Sequence, residues 1–293
     1  MTAILFALTS AAGYGVSDFV AGISSRHRSA WAVAVAAQFV AGLVVLLVAV
    51  GRLGDPSPVD LAWGAVAGLG NAVGSGFLYR GLGSGRMSVV TPVAAVGAAL
   101  VPVTAGLLVG ERPSLLVWAG IFAALPGIWF VSRVVDHAVE STGQSARGRD
   151  GGRAPARVGT PLRDGMLAGL GLGVVLAALG QIPESAGLLP LLVDQAVAVV
   201  GIVGLAVLSR EQWWPRGVAV WGGGAAGALG GLATVAFLLS SQSGPLTVVA
   251  VLTSLHPAVT ILLAAAVLSE RIHRWQGVGL VLCGLAVALV GSG

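Results

Sequence analysis

The sequence predicts an all-α integral membrane protein whose ten transmembrane helices form two inverted five-helix repeats. The chain has 293 residues, of which 56% are hydrophobic and only 10% are charged, and its mean hydropathy is +0.93. A soluble domain carries about 25% charged residues, so this composition indicates a chain that lies mostly in lipid. In addition, ten apolar segments are each close to the roughly 20 residues that cross a bilayer, and one short motif occurs twice.

The predicted spans fall into two groups of five, on either side of one polar stretch. The first five predicted spans lie at residues 2–22, 30–50, 60–80, 87–109 and 114–132. The second five lie at residues 165–183, 187–208, 217–240, 244–268 and 274–291.

The polar stretch between the two groups is predicted to be a flexible linker. After Val139 it contains almost no large apolar residue and is rich in Ser, Gly and Arg. Such a composition cannot bury enough apolar surface to form a packed core. We therefore expect a first repeat at 1–132, the linker at 133–164 and a second repeat at 165–293.

Short matched motifs indicate that the two groups are copies of one unit. Glu111-Arg112 at the end of the fourth span recurs as Glu270-Arg271 at the end of the ninth, 159 residues later. Trp63-Gly64 near the start of the third span recurs as Trp221-Gly222 in the eighth, 158 residues later. Because five is an odd number, the second copy must enter the membrane in the opposite orientation. Inverted repeats of this kind are typical of alternating-access transporters.

The arginines predict how the chain is oriented. The loops after spans 1, 3, 5, 7 and 9 hold fourteen of the sixteen arginines, and the opposite side holds only Arg52 and Arg112. Since the basic loops of a membrane protein stay in the cytoplasm, the linker is predicted to be cytoplasmic and both termini to face outward. The absence of lysine from a chain rich in Gly, Ala and Val is typical of a GC-rich bacterial genome, which places the protein in the inner (plasma) membrane.

Several classes of protein are disfavoured by the sequence. The net charge of +4 is carried by a chain with little polar surface, so it does not indicate nucleic-acid binding. Cys283 is the single cysteine and has no metal-ligand companions. No His-Glu-x-x-His or Gly-x-Ser-x-Gly motif is present, and no Gly-Lys-Ser/Thr follows the glycine-rich runs. We therefore expect neither an enzyme nor a cofactor or metal site.

The order of the motifs resembles a known family. Residues 13–22 read Gly-Tyr-Gly-Val-Ser-Asp-Phe-Val-Ala-Gly, which is similar to a Trp-Gly-x-x-x-Phe opening with Tyr14 in the Trp position. Spans 4 and 9 contain proline, both repeats carry the Glu-Arg ending, and spans 5 and 10 carry spaced glycines. Together these features resemble the drug/metabolite transporter superfamily, in its ten-helix form built from two EamA domains. The resemblance implies a central cavity, peripheral spans 5 and 10, and secondary transport of small solutes.

Ionisable residues inside spans are candidates for the transport pathway, because each costs about 2.5 to 3.5 kcal/mol at mid-helix on insertion scales. Asp18 in span 1 can take up a proton or bind a cationic group; the alternative is an interfacial carboxylate paired with Arg26 or Arg28. Asp194 in span 7 can take up a proton if it is buried, since burial penalises the charged form. The alternative for Asp194 is a water-exposed carboxylate at the cavity mouth.

The pair His256-Pro257 is predicted to interrupt span 9 near the middle of the membrane. Pro257 removes one backbone hydrogen bond and frees a carbonyl one turn earlier, and broken helices in transporters expose backbone groups to the solute. His256 can change protonation near neutral pH. The alternative is a neutral histidine bonded to a neighbouring helix, beside a passive kink.

Neutral polar residues on the predicted core helices complete the expected lining of the cavity. The candidates of this type are Tyr14, Ser17, Gln38, Asn71, Gln181 and Gln195. For each, the alternative role is a hydrogen bond between helices, which contributes about 0.6 kcal/mol on average.

These observations predict a transporter of small molecules, embedded in the lipid bilayer as a monomer or homodimer, without nucleic-acid partners. Alternating access with export of the solute, coupled to protons or to exchange, is the leading hypothesis. A channel, a membrane sensor and an uptake permease of the same fold remain as alternatives.

Overall fold

The structure is a computed structural model, and it describes residues 1–27, 29–83, 87–132, 159–268 and 272–292. Within these residues the chain forms eleven α-helices and one short 3₁₀-helix at Glu184–Ala186. Ten segments are long and apolar enough to cross a membrane. The ten predicted spans are therefore confirmed.

The helices are numbered in chain order. The first repeat contains α1 (Thr2–His27), α2 (Ala30–Ala49), α3 (Pro58–Gly83), α4 (Met87–Leu108) and α5 (Leu115–Ser132). The second contains α6 (Gly159–Leu179), α7 (Leu189–Leu208), α8 (Val218–Ser243), α9 (Leu246–Thr253), α10 (His256–Val267) and α11 (Arg274–Ser292). The ninth span, Leu246–Val267, consists of α9 and α10 together.

The helix α6 begins before the start of the predicted sixth span. The helix begins at Gly159, six residues before residue 165. Asp164 lies inside this added turn, where it is buried and pairs with Arg80 of α3. Neutralisation by Arg80 allows a polar turn to continue the helix. The rest of the predicted linker, residues 133–158, lies outside the described residues, as do Glu270 and Arg271.

The helices pack in pairs that repeat between the two halves. α1 packs on α8, and its counterpart α6 packs on α3. In the same way α2 packs on α8, whereas its counterpart α7 packs on α3. The last spans of the two halves, α5 and α11, pack mainly on each other. This correspondence is what two inverted copies of one five-helix unit produce.

Glycines allow the core helices to approach closely. A Cβ atom at Gly227 of α8 would lie 2.1 Å from the carbonyl oxygen of Ala37, and one at Gly171 of α6 would lie 2.4 Å from the amide nitrogen of Gly74. No side chain fits at either distance. Small residues at such contacts are a general feature of helix packing in membranes, and here they bring α2 onto α8 and α3 onto α6.

The ninth span is interrupted at cavity depth. α9 ends at Thr253, Ser254 and Leu255 form a turn, and α10 begins at His256 with Pro257 in its first turn. Proline has no amide hydrogen, so Pro257 cannot donate to the carbonyl of Thr253. The two parts also differ in burial. All residues of α9 except Val248 are buried, whereas Pro257 is the buried residue of α10.

A candidate solute cavity between the two repeats

A cavity of about 80 Å³ lies at the centre of the helix bundle. Its walls come from α1, α2, α3, α4, α6, α8 and the two residues Thr253 and His256 at the break in the ninth span. A volume of this size holds several water molecules. The polar lining residues are Tyr14, Ser17, Asp18, Gln38, Asn71, Ser75, Tyr79, Thr234, Thr253 and His256.

Asp18 and His256 lie in contact in the cavity wall, and their contact joins the two repeats. The distance from His256 Nδ1 to Asp18 Oδ2 is 2.9 Å, and the two side chains are 14% and 20% exposed, respectively. The atoms are within ion-pair range, although their alignment does not satisfy hydrogen-bond geometry. Arg26 and Arg28 were the alternative partners predicted for Asp18. Arg28 and the side chain of Arg26 lie outside the described residues. The sequence did not indicate that Asp18 and His256 would meet.

Tyr14 packs beside this pair. Its ring lies edge-on to the imidazole of His256, with 6.3 Å between the ring centroids. The Tyr14 hydroxyl and the Thr234 hydroxyl are 2.8 Å apart, and Thr234 also donates to the carbonyl of Gly230. Tyr14 is therefore held in a fixed orientation by α8, and its ring forms one side of the pocket around His256.

A polar stripe on α3 forms another part of the cavity wall. Asn71, Ser75 and Tyr79 are spaced four residues apart and therefore lie on one face of the helix. The Ser75 hydroxyl donates to Asn71 Oδ1 over 2.7 Å. Asn71 Nδ2 in turn donates to Asp194 Oδ1 over 3.4 Å. Asn71 thus contacts the cavity on one side and Asp194 on the other.

Asp194 lies behind the cavity wall instead of lining it. Its side chain is fully buried on α7, and Gln195 Nε2 donates to Asp194 Oδ2 over 3.1 Å. Neither Asp194 nor Gln195 is among the lining residues. The two residues form a second polar layer that reaches the cavity through Asn71.

The remaining predicted residues occupy three different settings. Gln38 lines the cavity, and its Nε2 has no hydrogen-bond partner among the described residues. Ser17 also lines the cavity and donates to the carbonyl of Ala226, which ties α1 to α8. Gln181 lies just beyond the end of α6, away from the lining, and donates to the carbonyl of Ala177.

Four polar lining residues were not identified from the sequence: Ser75, Tyr79, Thr234 and Thr253. The four-residue spacing from Asn71 was a usable signal for Ser75 and Tyr79. Thr253 lies three residues before His256, and its carbonyl is the one to which Pro257 cannot donate. For Thr234 we find no comparable signal, because its place depends on how α8 packs against α1.

The residues of the cavity wall combine several kinds of polar group. Among the described residues, no group of three or more His, Cys, Asp or Glu side chains could hold a metal ion. The cavity instead combines a carboxylate, an imidazole, two phenols and several neutral donors and acceptors. These groups can bind a small polar solute, an amine or a proton.

The sequence profile of the EamA-like transporter family matches residues 1–133 and 165–292. The chain belongs to this family. The family is part of the drug/metabolite transporter superfamily, which the order of the motifs predicted. A search of the curated proteins found no match. One solved structure, described only as the crystal structure of a protein, has a TM-score of 0.72 and 18% identity over 99% of this chain and 98% of its own. That likeness shows the fold alone.

Proposed function

We propose that this EamA-family protein is a secondary transporter that exports small metabolites, amino acids or drugs by alternating access, coupled to protons or to exchange. The family supports transport in general. The cavity between two inverted repeats, with the polar side chains in its wall, supports a carrier, since sites between inverted repeats near the bilayer midplane bind the solute in transporters of this architecture. The protein acts as a monomer or homodimer in the plasma membrane.

The observation that carries the proposal is the Asp18–His256 pair. Asp18 belongs to the first repeat and His256 to the second, and their side chains meet inside the cavity. A solute amine that binds Asp18 replaces His256 as its partner. Solute binding therefore acts on a contact between the two repeats, which must move relative to each other in alternating access.

The remaining polar residues supply the rest of the proposed pathway. Tyr14, Gln38 and Asn71 contact the solute directly, and the break before Pro257 exposes the carbonyl of Thr253 to it. Asp194 and Gln195 act from the second layer. Gln181 belongs to the entrance at the end of α6. The arginine distribution supports a cytoplasmic linker and termini on the outer side.

The first test is a thermal-shift screen of the purified protein against amino acids, cationic drugs, sugars and nucleosides. A compound that stabilises the wild type should fail to stabilise His256→Phe, which removes the partner of Asp18. Leu262→Phe is the matched control, because Leu262 is 50% exposed on the same helix. If the stabilisation is the same in His256→Phe and wild type, the Asp18–His256 pair does not bind the solute.

The second test measures flux of the stabilising compound in proteoliposomes. A carrier shows saturable flux and counterflow, in which unlabelled solute on one side drives uptake of labelled solute from the other. Flux that neither saturates nor supports counterflow would identify a channel, and binding without flux would identify a sensor. The direction of the proton-driven flux separates export from uptake.

A further inference from the structure

Among the described residues, Asp194 has no positively charged partner, and it lies where α7 of the second repeat packs against the first repeat. Asp194 is on α7, which packs against α2 and α3, and its side chain has no exposed surface. Because Asp194 has no exposed surface, bulk water does not solvate this carboxylate. An ionised carboxylate in such a place needs a compensating charge.

The charged and titratable groups around Asp194 do not supply that compensation. Arg80–Asp164 and Asp18–His256 are ion pairs among the described residues, and Asp194 is in neither of these two. α2 contains no ionisable residue. α3 presents the neutral Asn71 to Asp194, and it carries Asp60 in its first turn, Tyr79 and Arg80 towards its other end. From α1, Tyr14 presents a phenol to the cavity, and a phenol is not a cation.

The amide of Gln195 gives a second, independent indication that the site binds something. Gln195 is only 2% exposed, its Nε2 faces Asp194 Oδ2 at 3.1 Å, and its Oε1 has no hydrogen-bond partner among the described residues. A rotation of the Gln195 amide group by half a turn would exchange its nitrogen and oxygen. The oxygen would then lie about 3.1 Å from Asp194 Oδ2 and could accept the hydrogen of a protonated carboxyl. One rotation of Gln195 therefore suits the site to either protonation state.

We propose that Asp194 binds a proton at a site in the cavity wall, held by Asn71 and Gln195, and that this proton is the one coupled to transport. The coupling role rests on the transport function proposed above, whereas proton binding does not. Asn71 is the connection, because it lines the cavity and donates to Asp194 Oδ1. A solute that engages the Asn71 amide changes the hydrogen bonding of the Asp194 carboxyl. Solute binding and proton binding at Asp194 thus influence each other through one side chain.

Infrared spectroscopy of the purified protein in D₂O tests proton binding directly, because only a protonated carboxyl shows the carboxylic acid C=O stretch. We expect this band in wild type in neutral and slightly acidic buffer. Asp194→Asn should lose the contribution of one carboxyl. Asp60→Asn is the matched control and should keep the Asp194 band, since Asp60 caps the start of α3 by accepting from the amide and hydroxyl of Ser57. Asp194→Glu keeps a carboxyl and should shift the band instead of removing it.

Two results would overturn the proposal. An identical band in wild type, Asp194→Asn and Asp194→Glu would show that Asp194 is ionised. A band that appears only when sodium is replaced by choline would assign the site to sodium. The measurement needs no solute, so it is separate from the flux assay. If counterflow is absent for every compound in the screen while the Asp194 band is present, the transport proposal fails and the proton site stands.

Discussion

Glu111 caps a helix of the opposite repeat: its Oε2 accepts a hydrogen bond of 2.9 Å from the backbone amide of Thr247, and its Oε1 accepts one from the amide of Leu246. These amides belong to the first turn of α9, where no intrahelical acceptor is available. A carboxylate at the amino-terminal end of a helix also interacts favourably with the helix dipole. The repeated Glu-Arg motif thus marks the end of α4 and also fixes where α9 begins.

Replacement of Glu111 by Ala should lower the stability of the fold. The variant leaves two amides of α9 without acceptors, and the loss of a helix cap costs about 0.5–2 kcal/mol. Glu211→Ala is the control, because Glu211 is an exposed glutamate just beyond the end of α7. Thermal unfolding in detergent should show a lower Tm for Glu111→Ala than for Glu211→Ala. Equal Tm values would mean that the cap contributes nothing to stability.

The Arg80–Asp164 pair predicts an asymmetric response to substitution. Asp164 is nearly buried, whereas the side chain of Arg80 is 34% exposed and its guanidinium lies over the ring of Phe77. Arg80→Gln leaves a buried carboxylate unpaired, and Asp164→Asn leaves an arginine that reaches water. Arg80→Gln should therefore destabilise the protein more, by about 1–3 kcal/mol. The double variant should be more stable than Arg80→Gln alone in the same unfolding assay, and additive losses would contradict this account.

The contact between α2 and α8 predicts that Gly227 tolerates no side chain. Gly227→Ala places a Cβ against the carbonyl of Ala37, and the helices must separate to admit it. Gly284→Ala is the control, because a Cβ there meets no atom within 4 Å. Since alanine favours a helix by up to about 1 kcal/mol over glycine, Gly284→Ala should be neutral or stabilising while Gly227→Ala lowers Tm. A Tm for Gly227→Ala at or above that of the wild type would contradict the close packing.

The arginine distribution predicts where the ends of the chain lie. Alkaline phosphatase, a reporter that is active only outside the cytoplasm, should be active when it is fused after Gly293. The same reporter inserted within residues 133–158 is the internal control and should be inactive there, whereas a cytoplasmic fluorescent reporter should be active. Activity of the cytoplasmic reporter after Gly293 would reverse the predicted orientation.

The spans and the repeats were predictable because hydropathy and short motifs are local properties of the chain. The contacts that build the site are not local. Asp18 and His256 are far apart in sequence, and nothing near either residue specifies the other as its partner. Asp164 also has a distant partner. Its polar sequence neighbours predicted a linker, whereas in the structure it pairs with Arg80 of α3 and lies in a helix. Asp194 was correctly expected to be inside a span, but its place behind Asn71 depends on how α7 packs against α3.

The turn at Ser254 and Leu255 divides the ninth span into two arms, α9 and α10, which are held in place to different extents. The α9 arm is anchored at its far end by Glu111 and is buried along nearly all of its length. The α10 arm is buried only at Pro257, next to the pivot. The turn removes the rigid connection that a continuous helix would provide between the two parts of the span. A tilt of α10 therefore need not move the end of α9 that Glu111 holds, and His256 lies where the two parts meet.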